Sequence, residues 1–147
     1  MKIALYKGTH EGFSGLYNIT TRFLDRGIYS HCEVVFTSGI SASSSYLDGG
    51  VRFKNITYTS PDKWDFIDIP DPTGTIEDSA LTWFLNHQGQ PYDLMGNLRF
   101  LSNVFRDSND KWFCSEAVMA SLGFTEAYRY GPSGIASALL RLFATQK

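Results

Sequence analysis

Apolar and polar positions alternate along Lys2–Lys7, around Ile3, Leu5 and a tyrosine, and this period of two predicts a first strand. Gly8–Gly15 is punctuated by glycines and reads as a loop that carries His10 into solvent. Leu16–Asp25 brings Leu16, Ile19, Phe23 and Leu24 near one face, which predicts a short amphipathic helix closed by Gly27. Tyr29–Thr37 is β-branched and aromatic and stops at Ser38-Gly39, a second strand. On that strand His31, Glu33 and Val35 share one face, and Cys32, Val34 and Phe36 share the other. Ile40–Ser45 is serine-rich and reads as an irregular strand returning alongside. Asp48-Gly49-Gly50 signals a turn, Val51–Asn55 alternates again, and Trp64–Ile69 is a further strand stopped by Pro70-Asp71-Pro72.

The pattern then changes period. Thr75 is placed to cap a helix with Glu77 and Asp78 in its first turn and Ile76, Ala80, Leu81, Phe84 and Leu85 as its apolar stripe. His87 falls at the frayed end before Gly89 and reads as a surface residue. From Pro91 a segment runs to about Phe105 with Leu94, Leu98, Leu101 and Phe105 at helical spacing. Trp112-Phe113 leads into a helix that begins at Cys114, has Ser115 and Glu116 in its first turn and stops at Gly123. Cys114, Ala117, Val118, Ser121 and Leu122 share the core side. The tail carries Tyr128 and Tyr130 as exposed aromatics, then a last helix from Gly131-Pro132-Ser133 through Ile135, Leu139 and Leu142. The expected architecture is α+β: an antiparallel sheet of about five strands with packed helices, in one domain spanning 1–147.

Composition narrows the function classes. The chain has 147 residues, 43% hydrophobic and 15% aromatic, enough for a folded core in one domain. A net charge of -2 gives no electrostatic case for nucleic acid or an anionic membrane surface. Two cysteines, Cys32 and Cys114, make neither a disulfide framework nor a metal-type spacing, so no cofactor or metal is called for. The opening Met-Lys-Ile-Ala-Leu-Tyr-Lys-Gly is too soon interrupted for a signal peptide, and no apolar run reaches bilayer length. The expectation is a cytoplasmic protein without an integral membrane segment.

Two places carry candidate chemistry. A cysteine at a helix N-terminus feels the positive end of the dipole, which favours thiolate over thiol. His31 and Glu33 are ionisable groups among valines on an otherwise apolar strand, where buried charge is costly unless paired. A cysteine hydrolase needs a thiolate, a histidine to share its proton and a group to orient the histidine, and such partners meet in space rather than in sequence. A buried packing cysteine and a wet edge-of-sheet pair are the plain alternatives.

Ser30-His31-Cys32-Glu33-Val34-Val35-Phe36, then Gly89-Gln90-Pro91-Tyr92-Asp93-Leu94-Met95-Gly96, then Trp112-Phe113-Cys114-Ser115-Glu116 together resemble the NlpC-type papain-like cysteine hydrolases. The order, histidine strand before cysteine helix, resembles the circularly permuted branch that includes YiiX-like proteins and relatives of lecithin:retinol acyltransferase. The resemblance spans roughly Tyr29 to Gly123. It implies a permuted papain-like fold, Cys114 as nucleophile, His31 as general base and acid, and Tyr92 near the cysteine as substrate or oxyanion support. The Cys114 amide, with Ser115 beside it, stands where oxyanion donors are expected. In YiiX-like members the third polar residue usually comes from the next strand, often a glutamate followed by alanine; here Ser41-Ala42 stands there. Glu33 is then the expected orienting group, although about 6–7 Å along the strand from His31, with Ser41, Ser43 or Asp48 as substitutes.

The implied reaction is hydrolysis of an amide or ester through an acyl-enzyme on Cys114. A cell-wall peptide or an N-acyl or lipid-like small molecule fits the family. An acyltransferase, an isopeptidase acting on ubiquitin-like tails and a catalytically silent binding module of the same fold are the competing readings.

Overall fold

The computed structural model describes residues 1–9, 12–94 and 110–144, without the side chains at 12–14, 16, 17, 24 and 144. Among them it is an α+β protein with a five-stranded antiparallel sheet and four α-helices. The strands are β1 (Lys2–Tyr6), β2 (His31–Val35), β3 (Ile40–Ser45), β4 (Gly50–Asn55) and β5 (Trp64–Asp68), in the order β4-β3-β2-β1-β5. The helices are α1 (Gly12–Leu24), α2 (Thr75–His87), α3 (Cys114–Ser121) and α4 (Pro132–Ala144). The segment from Met95 to Phe105 expected to be helical lies outside the described residues, as does His10.

β1 and β2 lie inside the sheet, and apart from exposed Lys2 and half-buried His31 and Val35 their residues are buried on both faces. Ile3 and Leu5 of β1, Cys32 and Val34 of β2, Ala42 of β3 and Ile67 of β5 join Phe84, Ala117, Val118, Ile135 and Leu139 from the helices in one apolar cluster. Each of the buried Ile, Leu, Val and Phe side chains contributes about 1.5–3 kcal/mol relative to exposure. The opposite face is polar and aromatic: register places Tyr6 beside His31 and Trp64, and Ala4 beside Glu33 and Phe66.

β3 is regular despite its serines, because its buried hydroxyls have partners. Ser41 Oγ meets the Tyr58 hydroxyl at 2.8 Å, Ser43 Oγ donates to the Cys32 carbonyl at 2.7 Å, and Ser44 Oγ donates to the Trp112 carbonyl at 2.6 Å. The serine hydroxyls thus tie β3 to β2, to Tyr58 and to the segment that leads into α3.

Several sequence expectations are corrected. α1 begins at Gly12, four residues before Leu16, so part of the glycine-marked loop is helix. Its expected stripe faces outward at Ile19 (53% exposed) and Phe23 (79% exposed), while Asn18 and Thr21 are buried. The helix approaches the sheet through small polar groups, with Asn18 donating to Ser30 Oγ at 3.1 Å. In α2 the cap is not Thr75: Gly74 precedes the helix at φ +75, and Asp71 Oδ2 accepts the Glu77 amide at 2.8 Å. Only Ala80 and Phe84 of the α2 stripe are buried, and Leu81 and Leu85 face out. Tyr128 and Tyr130, expected as exposed, are half-buried, and Tyr130 packs on Phe124 at 5.9 Å. His87 is half-buried, stacked on Trp83 at 4.0 Å, with its Nδ1 donating to the Trp83 carbonyl at 2.7 Å.

The segment after α2 runs back along β4. Val51 donates to the Gln90 carbonyl at 2.9 Å, Gly89 donates to the Val51 carbonyl at 2.9 Å, and Gly50 and Pro91 form a bridge. Gly50 sits at φ +150, and a Cβ there would overlap the Gln90 carbonyl oxygen. Gly50→Ala should therefore destabilise the protein by about 1–3 kcal/mol from backbone strain, with the clash added. Urea denaturation measures it, and an unchanged midpoint would show that this close approach does not hold the segment.

Candidate active site

Cys114 is the first residue of α3, following Phe113 in extended conformation at φ -94 and ψ 166. Glu116 Oε2 accepts the Phe113 amide at 3.5 Å, so the helix start is held from its own first turn. Gly123 at φ +81 ends the helix: its amide donates to Ala120 and the Phe124 amide to Met119, each at 3.0 Å, a Schellman closure. Cys114, Ala117, Val118 and Ser121 are buried, as their spacing predicts. Upstream, Trp112 donates to the Pro91 carbonyl at 3.1 Å and accepts from Asp93 at 3.0 Å and from Ser44. These bonds fix the approach of the chain to Cys114 from β3 on one side and 91–93 on the other.

His31 opens β2 and hydrogen-bonds Cys114 through one side of its ring. Its Nε2 faces Glu33 Oε1 at 2.7 Å, which leaves Nδ1 for the thiol. The two side chains on one strand face lean together and close the separation of their backbones. Glu33 is 1% exposed and is gripped by Arg52 of β4, Nη1 to Oε2 at 2.6 Å and Nη2 to Oε1 at 2.5 Å. Arg52 Nε in turn donates to Asp48 Oδ2 at 2.9 Å, and Lys54 donates to Asp48 Oδ1 at 2.7 Å. The result is one chain of polar contacts, Cys114–His31–Glu33–Arg52–Asp48, running from the helix N-terminus across the polar face of the sheet.

The electrostatics follow from these contacts. Burial pushes the Glu33 carboxyl up, but the Arg52 hydrogen bonds and then the His31 contact outweigh it and hold it below its ordinary range. The Cys114 thiol is held well below its ordinary range by a hydrogen bond from Cys32, against the opposing effect of burial, and then by His31. Burial works downward on His31, yet its contacts with Cys114 and Glu33 carry the imidazole up to about 10. These shifts favour thiolate at Cys114, imidazolium at His31 and carboxylate at Glu33. Cys32 moves the other way: burial, then the bond to Cys114 and its charge, keep it a thiol.

A pocket of about 220 Å³ opens on the polar face and is lined by His31 and Glu33, with Tyr6, Tyr46, Trp64 and Tyr92 as aromatic walls. It is smaller than the ~300–1,000 Å³ of drug-sized sites and larger than the ~150 Å³ cavity that admits benzene, so it suits one group of a substrate. Tyr92 stands 6.0 Å from the Tyr46 ring and bridges Trp112, which brings it to the pocket and within two residues of the Cys114 segment. Ser115 is fully buried and is not among the lining residues. Its Oγ has no hydrogen-bond partner among the described residues.

Of the expected third groups, only Glu33 touches His31. Ser41 is occupied by Tyr58, Ser43 by the Cys32 carbonyl and Asp48 by the cations behind Glu33. Two residues escaped the sequence reading: Arg52, which anchors Glu33, and Cys32, which touches Cys114. A lone cation between Val51 and Phe53 in a strand was the available signal for Arg52. Cys32 gave none beyond its place on the core face. Among the described residues no group of three His, Cys, Asp or Glu side chains is placed to hold a metal ion, and no helix is long and apolar enough to cross a membrane. No protein-family model matches the chain, and no curated protein matches it in sequence.

Proposed function

We propose that the protein is a cysteine hydrolase that cleaves an amide or ester through an acyl-enzyme on Cys114, with a permuted papain-like fold of the NlpC type. The observation that carries the reading is the hydrogen-bonded chain Cys114–His31–Glu33–Arg52, set at a helix N-terminus beside a pocket. A packing cysteine has no use for an imidazolium that is itself held by a buried carboxylate.

The steps follow from the charges. The Cys114 thiolate attacks the carbonyl carbon, and the oxyanion is met by the Cys114 amide at the start of α3. The His31 imidazolium gives its proton to the leaving amine or alcohol as the C–N or C–O bond breaks. Neutral His31 then takes a proton from water, whose oxygen attacks the thioester and releases the acid and the thiolate. Glu33 holds the ring in place and stabilises its charge; Arg52 holds Glu33. The aromatic and aliphatic part of the pocket wall suits an apolar group of a peptide or of an N-acyl or lipid-like compound, and Asp48, Arg52 and Lys54 in the same lining suit a polar one. The two unpaired thiols fit a reducing, cytoplasmic setting. An acyltransferase would use the same dyad and is distinguished by an added alcohol or amine that diverts the product.

Alkylation with iodoacetamide tests the nucleophile. Cys114 should react far faster than Cys32, with a pH midpoint below the ~8.5 of a free thiol. His31→Ala should slow Cys114 roughly ten-fold or more at about pH 5.5, where lost thiolate outruns the gain in intrinsic nucleophilicity. Equal, slow labelling of both cysteines would sink the assignment.

A further inference from the structure

The hydrolase reading uses Cys114 and leaves Cys32 without a task. Strand alternation turns the Cys32 side chain to the opposite face of β2 from His31, toward α3, and both cysteines belong to the same buried cluster. There the Cys32 thiol and the Cys32 backbone N–H both donate to Cys114 Sγ. Ser43 holds the Cys32 carbonyl from β3 at 2.7 Å, so this strand residue is fixed beneath the helix start. Two free sulfurs are therefore neighbours at the start of α3, which sets a resolving thiol beside a cysteine open to oxidation.

We propose that Cys114 is an oxidation site and that Cys32 resolves it, so that a small hydroperoxide converts the pair to an intramolecular Cys32–Cys114 disulfide. This rests on the placement of the two sulfurs side by side beneath the helix start and not on any hydrolytic activity. In the first step the Cys114 sulfur attacks the distal oxygen of the hydroperoxide. An S–O bond forms as the O–O bond breaks, and the departing oxygen takes up a proton as water or alcohol. Cys114 is then a sulfenic acid, oxidised by two electrons. In the second step Cys32 gives up its proton and attacks Cys114 Sγ. The S–S bond forms, the S–O bond breaks, and hydroxide leaves with that proton as water. Two thiols and one peroxide give one disulfide, one water and one further water or alcohol.

The first step eases the second. Part of what holds Cys32 as a thiol is the adjacent Cys114 charge, and that charge is gone in the sulfenic acid. The disulfide blocks the nucleophile reversibly and shields it from the irreversible sulfinic and sulfonic acids.

Hydrogen peroxide at equimolar and modest excess, applied to the full chain and followed by denaturing alkylation and peptide mass mapping, tests this without any substrate. The expected result is a linked pair of peptides carrying Cys32 and Cys114, lighter by two hydrogen atoms than the reduced pair and separated again by dithiothreitol. Iodoacetamide reactivity of Cys114 should be lost with peroxide and fully restored by the reductant. In Cys32→Ser the linked pair should vanish and Cys114 should instead gain two or three oxygens that dithiothreitol does not remove. If wild-type Cys114 accumulates as sulfinic or sulfonic acid while Cys32 stays fully alkylatable, the proposal is overturned. That outcome is measured on the wild-type chain, so it stands even if the Cys32 variant fails to fold. A disulfide with no hydrolysis of any ester or amide would leave this inference intact and remove the hydrolase reading; hydrolysis without the disulfide would do the reverse.

Discussion

Turnover of a chromogenic N-acyl anilide should fall by about 10²–10⁴-fold in His31→Ala, the range for loss of a general acid–base group. An anilide is the right substrate because its leaving amine must be protonated, which an activated ester does not require. The wild-type pH profile should be bell-shaped. Its rising limb belongs to Cys114, whose proton must be lost before attack, and lies below the ~8.5 of a free thiol. Its falling limb lies at about 10, where His31 loses the proton it gives to the leaving group. The sign follows from the partners: a cation raised by a thiolate and a carboxylate keeps its proton further into alkali. Glu33→Gln removes one of those partners, so the falling limb should move to lower pH while the rising limb persists. A falling limb that stays in place would show that Glu33 does not act through His31.

Arg52→Met should be the most destabilising change on the polar face. It strands a carboxylate that is 1% exposed with only His31 left as partner, and breaking a buried pair from one side costs about 3–5 kcal/mol. For a chain of this length that corresponds to a melting temperature lower by on the order of 10 °C. Glu33→Gln with Arg52→Met should recover much of the loss, because neither unpaired charge remains. The pH dependence has a definite sign. Glu33 is held below its unfolded value, so its contribution is present above about pH 4.3 and is lost as pH falls through the lower folded value. Arg52→Met should flatten that acid limb. Thermal melts across acid pH decide it, and a variant that melts like the parent would mean the pair is not the anchor it is drawn as.

What could be read from the chain was what repeats locally. Alternation placed His31 and Glu33 on one face of β2, and helical spacing with Gly123 bounded the Cys114 helix. What could not be read depends on distant neighbours. Arg52 reaches Glu33 because β3 lies between β2 and β4 and pairs Ser43 with Arg52, a register no local pattern states. The outward turn of Ile19 and Phe23 is of the same kind. Periodicity finds an apolar stripe, but α1 docks through Asn18 and Thr21, where small side chains allow close approach and Ser30 supplies a partner. Thr75 looked like a cap because its residue type caps well; Asp71, four residues earlier in a loop, reaches the Glu77 amide instead. Local chemistry marked the dyad, and tertiary placement chose its anchors.

The burial of Glu33 also bears on how the sheet assembles. Side chains alternate, so a slip of β2 by one residue against β1 would send Glu33 into the apolar cluster and draw Cys32 and Val34 out of it. Among the described residues the cluster on that side offers the carboxylate only apolar neighbours, and misaligned pairings would lie far above the native one. The acid that steadies the histidine thereby also proofreads the strand it sits on, rejecting wrong alignments while the chain is still finding its shape.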